Sequence, residues 1–212
     1  MEGFELLASG LALFITFHLM ASVYALRSAL VNLLGLGMYK TVYSAVATLG
    51  LVLIVLGWMD RAVVPIYDVP VWGFRVPLVL MPVALTLMAG AHMSKDIKRW
   101  TRHPMLWGIF LWAFAHLCAN GDQASVMLFG SFLFYSIFSM VLSDDKLAKT
   151  DPEHWAETKA TTSLIPFLAM IQGRAKPAQG DKGFKAFFAG IIAFMGLVWA
   201  HQYFTGVPLM PY

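Results

Sequence analysis

Charged side chains are scarce in this chain: Asp, Glu, Lys and Arg make up 13% of it, whereas 59% is hydrophobic. Soluble domains carry about 25% charged and about 45–50% apolar residues, so a mean hydropathy of +0.69 excludes a water-soluble fold. Cysteine is almost missing. A single Cys118 rules out an internal disulfide, and no C-x-x-C-H run attaches a c-type haem covalently. No basic n-region precedes the first apolar stretch, which is therefore expected to stay in the membrane as a span. The chain has no Walker loop, GxGxxG turn or Ser/His/Asp arrangement, and no nucleic-acid surface. Its net charge of +3 is a matter of membrane topology. Thirteen Met and sixteen Phe are ordinary packing material for a membrane bundle.

What the chain does have is a series of long apolar runs. Crossing the hydrocarbon takes about 20 predominantly apolar residues. Six spans are expected, at 4–26, 41–58, 76–92, 105–119, 123–142 and 186–206, which makes residues 1–212 a single all-α, polytopic helical bundle. Pro104 opens the fourth span where a missing N–H costs nothing, and Asn120-Gly121-Asp122 turns it into an antiparallel hairpin with the fifth. Pro77 and Pro82 kink the third span. Of the fifteen Lys and Arg residues, all but Arg61 and Arg75 fall in the segments 27–40, 93–104 and 143–185. The positive-inside bias puts those loops in the cytoplasm and both termini on the other side. The cytoplasmic segment 143–185 should start a helix at Asp151-Pro152-Glu153 and set Trp155 at headgroup level. Its apolar piece 164–171 dips into the interface or packs beneath the bundle, and 175–181 is a loop.

Two histidines, His18 and His116, lie inside apolar spans. They sit about 12 Å and about 18 Å from the cytoplasmic face at 1.5 Å per residue. An intramembrane imidazole is costly without a partner and marks a functional position by default. Two readings stand: each bonds a neighbouring helix and glues the bundle, or the two share a site. Imidazole suits Fe, Zn and Cu, but no Cys, Asp or Glu lies at that depth to complete a zinc tetrahedron. Haem needs only one or two axial ligands from the protein, so a two-histidine inventory fits a non-covalent haem b. Gly108, Trp112, His116 and Asn120 recur every four residues on one helix face, with Gly108 giving a flat macrocycle room to approach. On the first span Phe14, His18 and Ser22 form a similar stripe. His103 is rotated from His116 by about 220° over their offset, so Arg102 and His103 either receive an anion at the membrane surface or cap adjacent helix termini. His92 and His154 read as interfacial and solvated, and His201 is a third choice as ligand.

These residues carry a resemblance. Phe14-x-x-x-His18 with Ala25-Leu26-Arg27, then Arg102-His103-Pro104, Gly108, Trp112-Ala113-x-Ala115-His116-Leu117-x-Ala119-Asn120-Gly121-Asp122 and Leu128-Phe129-Gly130-Ser131-Phe132 resemble the NnrU family over nearly the whole chain. Trp155, Thr162-Ser163-x-Ile165-Pro166-Phe167 and Gly173-Arg174 agree with it. The resemblance implies a multi-pass protein of the bacterial inner membrane, associated with nitrite and nitric oxide reduction. The family is similar in turn to the 15-cis-zeta-carotene isomerases, which use haem b. That similarity implies His18 and His116 as the axial pair, with a hydrophobic polyene or nitric oxide as what the iron would meet and a redox partner to reduce it. The chain departs from the isomerases at Leu19-Met20 and at Asn120-Gly121-Asp122. Arg102-His103-Pro104-x-x-x-Gly108 also resembles membrane methyltransferases of the isoprenylcysteine and phospholipid type, in which it helps bind S-adenosylmethionine. Their downstream Glu-Glu pair is missing, with Asp144-Asp145 at the nearest position. A non-enzymatic accessory protein, docking a partner through 143–185, is the remaining alternative.

Overall fold

The computed structural model describes residues 2–175 and 183–206. Nine helices are described: α1 (Glu2–Ser22), α2 (Tyr24–Met59), α3 (Val76–Met93), α4 (Lys95–Trp100), α5 (Pro104–Ala119), α6 (Gln123–Thr150), α7 (Pro152–Thr161), α8 (Leu168–Ile171) and α9 (Gly183–Thr205). No strand occurs among the described residues, only an isolated bridge between Pro65 and Asp122. Five helical stretches are long and apolar enough to cross a bilayer: α1, α2, Gly73–Met93, α6 and Gly183–Tyr203. The apolar Pro104–Ala119 is shorter. The chain is thus an all-α polytopic membrane bundle; the expected spans 41–58, 76–92, 105–119 and 123–142 each lie within one helix, whereas 4–26 runs past the end of α1 at Ser22 into α2 and 186–206 ends one residue beyond α9. The expected loop at 175–181 falls, but for Ala175, outside the described residues.

One expectation is corrected. Residues 27–40 are not a loop but part of α2, which leaves helical geometry only at Gly35 (φ 75°, ψ 155°). Around that one break the segment is rich in Leu, Ala and Met, good helix formers, and Gly is the residue that tolerates a positive φ. The break divides α2 into a short piece, 24–34, of about 16 Å and a longer one, 36–59, of about 36 Å, the latter enough to cross a hydrocarbon core of about 30 Å.

Helices neighbour one another in the order α2, α1, α6, α5, α3, α9. Small residues set the closest of these approaches. A Cβ on Gly10 of α1 would fall 2.6 Å from the Ile54 amide and 2.8 Å from the Gly50 carbonyl of α2. Without a hydrophobic effect between spans, such backbone-to-backbone packing is what holds α1 on α2. The main core sits where α1, α2, α5 and α6 meet, on Leu7, Leu11, Ile54, Ala113, Ala124, Leu128 and Phe129. A second core joins Leu87, Ile97 and Ala186.

The two ends of the bundle are tied differently. At one end, the single Tyr67 hydroxyl proton is shared between the Leu117 and Asn120 carbonyls, acceptors at the end of α5 that the helix leaves unpaired. Asp122 caps α6 by accepting from the Ser125 amide at 3.1 Å. At the other, basic end, Ser94 caps α4 through the Ile97 amide, and Asp151 caps α7 through the His154 amide, as its Asp-Pro-Glu start predicts.

Candidate functional site

His18 and His116 have the same local chemistry. The Nδ1 of His18 lies 2.7 Å from the Phe14 carbonyl, and that of His116 lies 2.8 Å from the Trp112 carbonyl. A carbonyl oxygen can only accept, so each Nδ1 carries the proton and each Nε2 keeps the lone pair. No hydrogen bond to either Nε2 is found among the described residues. This is the tautomer a metal-binding imidazole takes, with its other ring nitrogen pinned by a backbone carbonyl.

The surroundings are aromatic. His18 stacks on Phe14 with centroids 4.0 Å apart and meets Tyr43 of α2 at 5.4 Å and Tyr135 of α6 at 6.0 Å. His116 stacks on Phe129 at 4.6 Å and touches Trp112 at 5.5 Å. Phe132 of α6 bridges the two neighbourhoods, 5.8 Å from Phe14 and 5.5 Å from Trp112. Both imidazoles are half-buried and stand on either side of one aromatic stripe of α6. Their contacts on that stripe, Tyr135 and Phe129, are about 9 Å apart along the helix. Two imidazoles anchored through Nδ1, with aromatic walls and no carboxylate in contact, are donors of the type that an iron porphyrin takes. They do not resemble a cation cage: among the described residues no three His, Cys, Asp or Glu gather to hold a metal ion.

The other predicted site residues divide. Trp112 belongs to the cluster, through His116, Phe129 and Phe132. Gly108 does not: a Cβ there would meet Met88 at 2.6 Å and the Ala84 carbonyl at 2.8 Å, so it serves the approach of α5 to α3. The reason is geometric, since each four-residue step drifts about 40° around a helix and Gly108 stands two steps from His116. Arg102 and His103 lie at the basic end, about 19 Å along the chain rise from His116. There Asp144 of α6 accepts from the Arg102 guanidinium and, at 2.8 Å, from His103 Nε2. Arg102 Nε donates to Thr162 at 3.1 Å, its guanidinium lies 4.7 Å over the Trp155 ring, and its amide donates to the Ser163 carbonyl. Trp107 Nε1 and Thr101 Oγ1 both donate to the Leu164 carbonyl.

These bonds make a latch that binds the start of α5 to the end of α6 and draws 162–168 beneath the bundle. Burial pushes the His103 imidazole below its usual value, against the opposing pull of Asp144. Of the remaining histidines, His92 and His154 are exposed, and His201 of α9 is half-buried with Thr205 at 3.1 Å. Sequence reasoning missed Asp144 as the partner of Arg102 and His103, and Tyr43 and Tyr135 as neighbours of His18. Only the Phe129-Gly130-Ser131-Phe132 run signalled the α6 stripe.

A family model described as NnrU protein matches residues 6–209. A stretch of 96 residues is 33% identical to 15-cis-zeta-carotene isomerase, chloroplastic, of Arabidopsis thaliana, covering 45% of this chain and 26% of that protein. The Zea mays protein of the same description is 32% identical over 98 residues, 46% of this chain and 27% of its own. The chain thus matches about a quarter of the length of these plant relatives. No solved structure matches.

Proposed function

The chain belongs to the NnrU family, and from that premise and the geometry of the two histidines we propose that it is an integral membrane haem protein, its iron held by His18 and His116, that isomerises an apolar polyene. The observation that carries this reading is the pair of imidazoles, each pinned through Nδ1 to its own helix with Nε2 open. Bound there, haem b would supply a redox-active iron, closed by two imidazoles and open to another ligand only when one of them leaves.

The chain's own residues would do the rest. Phe14 and Phe129 orient the imidazoles by stacking, and Trp112 and Phe132 keep water from the space between. A half-open site at bilayer depth admits a hydrocarbon directly from the lipid. The description of the two plant relatives as 15-cis-zeta-carotene isomerases supports a conjugated hydrocarbon as the substrate class. The Lys- and Arg-rich end, with its latch, faces the cytoplasm by the positive-inside bias, and the membrane is the bacterial inner membrane. Nitric oxide is the competing ligand for the reduced iron.

The test is the optical spectrum of detergent-purified protein from haem-replete cells. A Soret band is expected in the wild type, and a weakened or shifted one in His18→Ala and His116→Ala. Wild-type protein without the band would end the haem reading. An unchanged spectrum in both variants would overturn the ligand assignment. Conversion of a 15-cis polyene by reduced but not oxidised protein, set beside the spectrum after nitric oxide, decides between the two chemistries.

A further inference from the structure

Two cations without an acid stand where α1, α2 and α6 meet at the basic end. Lys146 of α6, half-buried, reaches back to the Ala21 carbonyl at 3.4 Å. Ala21 is one turn beyond His18, about 4.5 Å further along α1. Arg27, near the start of α2, lies 5.8 Å from the centre of the Tyr39 ring; burial first, and the Arg27 charge second, pull the Lys146 ammonium below its usual value. The acids next to Lys146 in sequence are engaged elsewhere, Asp144 by Arg102 and His103 and Asp145 by Lys149. Neither Arg27 nor Lys146 has an ion-pair partner among the described residues. Like charges held together at the edge of a low-dielectric slab raise each other's cost, and an anion between them removes it.

We infer that Arg27 and Lys146 receive the carboxylate side arms of the macrocycle bound at His18, turning its polar edge toward the basic end. The inference rests on the reading that His18 holds an iron porphyrin. Its direction follows from the asymmetry of the site: His18 lies one turn from this cation pair and beside two phenols, whereas the ring neighbours of His116 are Trp112 and Phe129. Lys146 also suits the C-terminal carbonyls of α1, but a capping lysine does not distinguish an acid from its ester.

That difference is the experiment. Apoprotein in phosphatidylcholine vesicles is titrated with haem b and with haem dimethyl ester, in which both carboxylates are masked, and Soret formation is followed. The wild type should bind the free acid at least about tenfold more tightly than the ester, and Arg27→Met/Lys146→Met should discriminate by less than about twofold. Ester binding by the double variant at wild-type strength shows that it is folded. Equal affinities in the wild type, or full discrimination in the variant, overturn the inference while leaving the iron reading intact. Failure to take up either porphyrin overturns both. If the cation pair instead holds a phospholipid headgroup, vesicles enriched in phosphatidylglycerol abolish the wild-type preference, and the carboxylate assignment falls.

Discussion

Replacing Asp144 with alanine would leave the Arg102 guanidinium at the base of α5 without its carboxylate. The side chains of Arg102 and Asp144 are only 11% and 18% exposed, so water cannot fully replace what is removed. Breaking one side of a buried ion pair costs about 3–5 kcal/mol. The lower end applies here, because Arg102 keeps its bond to Thr162 and its place over Trp155. About 3 kcal/mol, at about 2–4 °C per kcal/mol for a chain of this size, lowers Tm by about 6–12 °C. The adjacent carboxylate is the control. Asp145 pairs with Lys149 on an open helix face, 50% and 59% exposed, and such i,i+4 pairs contribute about 0.3–0.5 kcal/mol. Asp145→Ala should therefore shift Tm by less than about 2 °C. The assay is thermal unfolding of detergent-solubilised protein by tryptophan fluorescence, with Trp107 and Trp155 reporting from the latch itself. Equal shifts for the two variants would refute the claim that Asp144 holds the basic end together.

Three further outcomes are expected. Because burial lowers the His103 pKa in the folded chain, the unfolded chain takes up the proton first as pH falls through about 6.5. Stability should be flat above that value and decline below it, and His103→Gln, which keeps a donor for Asp144 but does not titrate, should flatten the decline in Tm between about pH 6.5 and 5. Gly10→Val should cost about 1–3 kcal/mol, since its Cβ meets the backbone of α2; Gly130→Ala, with nothing within 4 Å, should leave Tm unchanged or slightly raised, and a reversed order would sink the glycine-contact account of the α1–α2 pair. Trp112→Ala should weaken haem uptake in the Soret assay without altering the acid-over-ester preference; a loss of that preference would place the carboxylates at the wrong end.

The spans were legible because each is a long apolar run that a bilayer of fixed thickness demands, and because Pro104 and Asp151-Pro152 mark helix starts by their chemistry. Residues 27–40 carry Arg27 and Lys40 and so read as a cytoplasmic loop, yet Gly37 and Lys40 are helical and only Gly35 breaks the pattern. His18 and His116 could be singled out from depth alone. Their Nδ1 bonds are local, four residues back, and follow from the helix. What could not be read is whatever depends on a residue far along the chain. Asp144 reaches His103 across 41 residues, and neither the placement of Tyr43 beside His18 nor the filling of the Gly108 face by Met88 has a signal in sequence spacing.

The order of the helices has a mechanical consequence. α5 and α6 are joined at one end by the Asn120-Gly121-Asp122 turn, strapped there by Tyr67, and bolted at the other by Asp144. His116 therefore rides on a braced frame. His18 rides on α1, which packs chiefly on the part of α2 beyond the break at Gly35. The bracing of the site is one-sided: α5 and α6 are tied at both ends by side-chain bonds, whereas α1 is held on α2 and α6 mainly by packing. A crosslink from α1 to α6 would therefore add a tie that the gap between the two imidazoles lacks, while one from α5 to α6 would duplicate bonds already there.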